Sequence, residues 1–221
     1  METGLTINER RLPTIQELYS NTDLAVKNDE LLTLLNQPVP VNWLKQHPYI
    51  SNYKYLPIDK VEFLLKKIFK KYRIEILREG TSFNGVYVVV RVWYCNPISG
   101  EMDFHDGIGA AQLQTAKGTS PADLANINNG ALSMAYPIAK TVAIKDACDH
   151  FGSLFGADVN RKDVIAFSPD DKLAELARTK EEERMEKLIE KAKDRETLEA
   201  LKSHLTEKLQ TQFDTKWNQL K

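Results

Sequence analysis

The sequence predicts an α+β protein: a helix followed by an antiparallel β-meander and a packing helix, with a helical module at the C-terminal end. Three observations lead there. Residues 59–71 place apolar side chains at helical spacing, residues 72–110 hold three strand-like runs separated by turn residues, and residues 173–221 contain no proline or glycine.

The totals set the frame. A chain of 221 residues, 42% hydrophobic and 28% charged, has the composition of an ordinary soluble protein with a buried core. Its formal net charge of -1 gives no overall argument for nucleic acid, so charge has to be read locally. Cys95 and Cys148 form no disulfide framework, which points to a reducing compartment. The start, METGLTINERRLP, lacks the apolar core of a signal peptide, and no apolar run approaches the ~20 residues of a membrane helix. A soluble, cytoplasmic protein with no membrane partner is expected.

Residues 1–56 are expected to form an N-terminal arm serving oligomerisation or packing. DELLTLLNQ (Asp29 to Gln37) reads as a short helix, and Pro38, Pro40, Pro48 and Pro57 deny long helices after it. The aromatic residues Trp43, Tyr49, Tyr53 and Tyr55 are expected to cover a core or a neighbouring subunit.

From residue 57 to 167 the pattern is clearest. Asp59 is placed to cap a helix whose Val61, Leu64, Leu65, Ile68 and Phe69 form one stripe, with Lys60, Lys66, Lys67, Lys70 and Lys71 opposite. YRIEILRE alternates as a half-buried strand, GTSFNG supplies a turn, and VYVVVRVWY is apolar on both faces except for Arg91. NPISG connects to a third strand, EMDFHDGIGA. Gln112 to Asn129 is small and polar, and a mobile, functional loop is expected there. In AYPIAKTVAIKDACDHFGSLFG, residues Ala139, Ala143, Ala147, Phe151 and Phe155 share one stripe with Ile144, Cys148 and Leu154 beside it, and Gly152 and Gly156 close the helix. Residues 168–221 read as two charged helices, the second capped by Asp194 and striped by Leu198, Leu201, Leu205, Leu209, Phe213, Trp217 and Leu220.

Asp146, Cys148, Asp149 and His150 invite a catalytic or metal reading, but no CxxC or HxxxH spacing accompanies them, and Cys148 falls on the apolar stripe. GxSxG, Walker and dinucleotide motifs are absent, and GIGA is too short for a phosphate loop. Neither catalytic residue nor metal nor cofactor is expected. One enzymatic alternative stays open, a metal-dependent nuclease using Asp103, His105 and Asp106. Against it stands single-strand binding: Lys60 to Lys71, then Arg73, Arg78 and Arg91 with Tyr87, Trp93 and Tyr94 nearby, pair cations for phosphates with aromatics for unpaired bases. A third reading is an assembly protein whose basic helix binds an acidic partner.

The order DKVEFLLKKIF, VYVVVRVWY, a strand ending GIGA, a polar loop, then AKTVAIKDACDHFG closing on SLFG resembles the annealing domain of the Rad-fifty-two superfamily, which includes phage proteins of the Sak, Erf and Red-beta types. Lys145, Phe151, Gly152 and Gly156 carry the best match, and the phrase continues into Asn160, Arg161 and Lys162. The resemblance covers residues 57–167. It implies ATP-independent binding and annealing of single-stranded DNA in recombination or repair, by a ring or helical homo-oligomer. Lys60 and Lys145 match basic residues of the family's DNA groove, and Arg91 and Lys140 are added from their charge. Asp146 and Asp149 depart from the arginines usual in eukaryotic members, so Lys66, Lys67, Arg161 and Lys162 are expected to supply the missing charge. By the same resemblance, residues 168–221 can recruit a single-strand binding protein.

Overall fold

A computed structural model describes residues 21–47, 50–120 and 122–220. Pro48, Tyr49 and the first twenty residues, read above for a leader, lie outside them. The described residues divide into two compact units, one running from Leu31 to Phe167 and the other combining residues 21–30 with residues 168–220. Segment 31–56 of the expected arm therefore folds with the core, contributing Leu35, Val39 and Leu56 to its interior.

The architecture is α+β. Helix α1 (Thr22–Leu35) begins earlier than the leucine pairs predicted, because Asn21 accepts the Asp23 amide hydrogen and caps a turn ahead of Asp29. A two-stranded antiparallel hairpin follows, β1 (Lys45–Gln46) with β2 (Lys54–Tyr55). Helix α2 (Ile58–Ile68) starts at Pro57, so Asp59 sits inside the first turn, where it favours the helix dipole without capping it. Its stripe of Val61, Leu64, Leu65 and Phe69 is buried.

Strands β3 (Tyr72–Ser82), β4 (Gly85–Cys95) and β5 (Met102–Gln112) form the meander in the order β3-β4-β5. Strand β3 is longer than its alternation suggested, and the turn narrows to Phe83 and Asn84 between the Ser82–Gly85 pair. An irregularity between Ile76 and Arg78 interrupts the pairing, and beyond it Ile76 and Leu77 are both exposed. Strand β4 is buried on one face only. Val86, Val88, Val90, Val92 and Tyr94 are inside, while Tyr87, Val89, Arg91 and Trp93 are half-buried on the opposite side. The loop after β5 is more ordered than its composition suggested. Thr115 bridges Ile127, and the Asn128 amide donates to the Gln114 carbonyl at 2.9 Å.

Helix α3 (Ala131–Asp149) lies across the buried face of β4 and β5. Ala131, Ala135, Ala139, Ala143 and Ala147 face inward, and Cys148 is buried beside them. Gly107 and Gly109 of β5 complete the fit. A methyl group at Gly107 would overlap the backbone of Ala143 and Ala147, and one at Gly109 that of Ala139 and Ala143. GIGA is thus the seat of a helix. Phe69, Tyr94, Phe151 and Phe155 close the end of the core, with Phe69 and Phe151 centroids 4.5 Å apart.

In the other unit, Ala25 and Val26 of α1 pack with Leu173 of α4 (Asp171–Lys191), whose first amides are capped by Asp170. The second C-terminal helix is broken. Asp194 caps α5 (Arg195–Ala200), a 3-10 turn follows, and α6 (Glu207–Gln219) restarts. Lys208 meets Glu182 at 3.0 Å, Gln212 meets Glu186 at 3.4 Å and the Lys216 ammonium meets the Glu190 carbonyl at 2.8 Å. Each pair advances in the same direction, so α4 and α6 run parallel with α5 as the return. The break gathers Leu198 and Leu209, which would stand about 16 Å apart on one straight helix, into a single cluster with Met185 and Ile189. Among the described residues no helix is long and apolar enough to cross a membrane.

A candidate nucleic-acid interface

A groove of about 720 Å³ runs between the β1–β2 hairpin and one face of α3. Ile138, Val142, Lys145, Asp146 and Asp149 are on its helical side, and His47, Ile50, Tyr53, Lys54 and Tyr55 form the hairpin side. Helix α3 can line a groove and a core together because it is apolar nearly all round. Its alanines are spent on the sheet, which leaves Met134, Ile138 and Val142 exposed at a spacing of one turn.

The hairpin is held by one side chain 106 residues away. Asn160 accepts the Lys54 amide hydrogen at 2.9 Å and donates to the Lys54 carbonyl at 2.7 Å, imitating a strand rung. Asn160→Ala is expected to cost about 1–3 kcal/mol, since two bonds of about 0.5–1.5 kcal/mol each are lost. Faster amide exchange across residues 45–55, with α3 unaffected, would check it.

Lys145 is half-buried with its ammonium 5.0 Å from the Tyr55 ring centroid. Burial lowers its pKa, and the nearby Asp149 only partly offsets this. Asp146 is occupied structurally, accepting the Ile108 amide hydrogen of β5 at 2.9 Å. The Asp149 carboxyl is pushed up to about 6, first by burial and then by Asp146, against Lys145, His150 and Arg161. Its folded state therefore holds a proton more tightly than the unfolded chain. The resulting stability is complete below the ordinary carboxylate range and is lost as pH rises through about 6. Asp149→Asn is accordingly expected to melt above the wild type at pH 7.5, with the gap closing by pH 4; equal gaps at both pH values would contradict this.

The other cations named from sequence are dispersed. Lys140 lines a second groove, of about 610 Å³, that shares Pro137 and Thr141 with the first and has Glu62 and Glu79 in its lining. Lys60 lies 5.6 Å from the Trp43 ring centroid and 3.5 Å from Asp59. Lys66 and Lys67 are exposed in the last turn of α2. Arg161 pairs with Asp158 at 3.5 Å, and Lys162 is exposed next to it. Arg91 lies on the sheet face away from α3. Asp106 grips its guanidinium at 2.7 and 2.8 Å, and Phe104 lies beneath it at 3.7 Å. The structure thus gathers Lys145 and Asn160 with Lys54, Tyr53 and Tyr55. Nothing in the sequence singles out Lys54, and the two tyrosines are expected from it to cover a core or a neighbouring subunit. Their signal was the alternation Tyr-Lys-Tyr beside a proline, too short to stand alone.

Asp103, His105 and Asp106 do not converge. Asp103 and His105 share the Tyr94 hydroxyl at 3.3 and 3.4 Å, whereas Asp106 projects from the opposite face toward Arg91. Burial lowers the His105 pKa, with His150 adding to the effect. Among the described residues no group of three or more His, Cys, Asp or Glu side chains is arranged to hold a metal.

Charge is divided between the units. Residues 31–167 hold fifteen basic and twelve acidic side chains, and the remainder holds fifteen and nineteen. The near-neutral total hides a basic groove-bearing unit. Compared with known proteins, the chain matches no family model and no curated protein.

Proposed function

We propose that the protein binds single-stranded DNA without nucleotide hydrolysis and anneals complementary strands in recombination or repair, as a ring or helical homo-oligomer. The observation that carries this reading is the groove between the hairpin and α3, where Lys54 and Lys145 stand beside Tyr53, Tyr55 and an apolar floor. Lysines meet phosphates and aromatics meet unpaired bases, so the combination suits a single strand better than a duplex. The basic balance of residues 31–167 supports it. Annealing needs many modest backbone contacts repeated along a strand and no catalytic residue. Self-assembly has support in the exposed outer face of the sheet, where Ile108 stays 60% accessible and Phe104, farther along the same strand, is exposed too. In this reading residues 168–221 recruit a single-strand binding protein in the cytoplasm.

The test mixes two labelled complementary strands with the protein, without ATP or metal, at low and moderate salt. Faster pairing than without protein, weakened by salt, is expected. Loss of full-length strand only when Mg²⁺ is added would favour the nuclease alternative. Indifference to DNA would favour an assembly role.

A further inference from the structure

We propose that Phe83, at the tip of the β3–β4 hairpin, stacks on an unpaired base of the bound strand. This rests on the single-strand reading above. Three described residues other than glycine have positive φ: Lys70 follows the end of α2, Asn52 lies in a turn, and Phe83 is the first central residue of the two-residue β3–β4 loop, where hairpin turns call for positive φ. The turn dictates the conformation but not the residue: glycine or asparagine is preferred there, and Phe83, at φ 50, has neither the missing Cβ of the one nor the local hydrogen bonding of the other. It is also 94% exposed, more than almost any other large apolar side chain described. A bulky aromatic is therefore held in water, in a strained conformation, at the end of two eleven-residue strands.

The surroundings indicate what it meets. The Asn84 carbonyl accepts the Leu113 amide hydrogen at 2.7 Å, and Gly85 pairs with Gln112, so the tip is tied to the start of the polar loop. Asn84, Gln112 and Gln114 are the amide residues of the tip and of the segment tied to it, and neither residues 80–86 nor 111–116 contain a carboxylate. A protein partner would call for a wider apolar patch with a core and rim. One aromatic among uncharged amides fits a base, whose face stacks and whose edge bonds to amides, without repelling the phosphates. Strand β5 runs antiparallel to α3, with Gly109 beside Ala139 and Gly107 beside Ala147, so the tip lies toward the α3 N-terminus. A strand leaving Lys145 has about 21 Å of helix to follow to that end, a span of a few nucleotides.

The experiment measures anisotropy of a labelled oligothymidylate with the full-length wild type, Phe83→Gly and Phe83→Trp. Phe83→Gly is expected to bind about tenfold more weakly while melting at the same or a higher temperature, because glycine relieves the strain. Phe83→Trp is expected to bind as the wild type, with indole emission quenched by the strand. Unchanged affinity of Phe83→Gly beside a binding wild type would overturn the proposal and leave the single-strand reading intact. So would a loss of affinity accompanied by a smaller oligomer, which would assign Phe83 to a second copy. A wild type that ignores the oligonucleotide would remove both.

Discussion

Replacing Lys54 and Lys145 together by glutamine should weaken binding of single-stranded DNA by roughly 10–100-fold at low salt while leaving the fold intact. Lys54 and Lys145 line one groove, the first from the hairpin and the second from α3. Each phosphate contact removed from a single strand lowers the salt slope by about 0.7, so the double variant should lose about 1.4 from the slope of log affinity against log salt. That readout separates a groove contact from a distant effect. Stability should not fall with affinity, because burial already disfavours the charged form of Lys145, and a neutral amide avoids that cost. Arg91→Gln is the control: its guanidinium is held by Asp106 on the other side of the sheet, and DNA affinity should change little. If Arg91→Gln weakens binding more than the double variant, the interface lies on the outer sheet face.

What could be read before the structure, and what could not, divides along range. The stripe of α2, the three strands and the alanine face of α3 are repeated patterns, each written within one continuous segment and enforced by burial of one face. Cys148 was legible as core for the same reason. The groove was not, because half of it is a hairpin whose placement depends on Asn160, far along the chain. Lys60 and Lys145 share a list through the family resemblance, and Arg91 joins it by charge alone. Their separation onto different surfaces follows from strand alternation and helix phase combined, which no single segment encodes. The break in the last helix is a case of tertiary packing overriding local preference. Residues 195–220 contain nothing that stops a helix, yet two short helices gather Leu198 and Leu209 into a single cluster.

The largest loss of stability is expected from Gly109→Ala, about 3 kcal/mol or more, with Gly107→Ala close behind. The added methyl at Gly109 would overlap the Ala139 carbonyl and the Ala143 amide, and at Gly107 it would overlap the Ala143 carbonyl and the Ala147 amide. These are backbone atoms of a hydrogen-bonded helix, so no side-chain rotation makes room. The helix must instead lift from the sheet and open the contacts of Ala139, Ala143 and Ala147 together. A melting temperature lower by roughly 10 °C or more would show it. Gly100→Ala calibrates the measurement. A methyl there meets nothing within 4 Å, and only the φ of 76° opposes it, worth about 1–2 kcal/mol. A Gly109→Ala protein no less stable than Gly100→Ala would mean that helix and sheet are not so close. The same displacement bears on function, since α3 carries Lys145 toward the hairpin while resting on these two glycines. Conditions mild enough to keep Gly109→Ala folded should therefore still show weaker DNA binding, through the widened distance between Lys145 and Lys54.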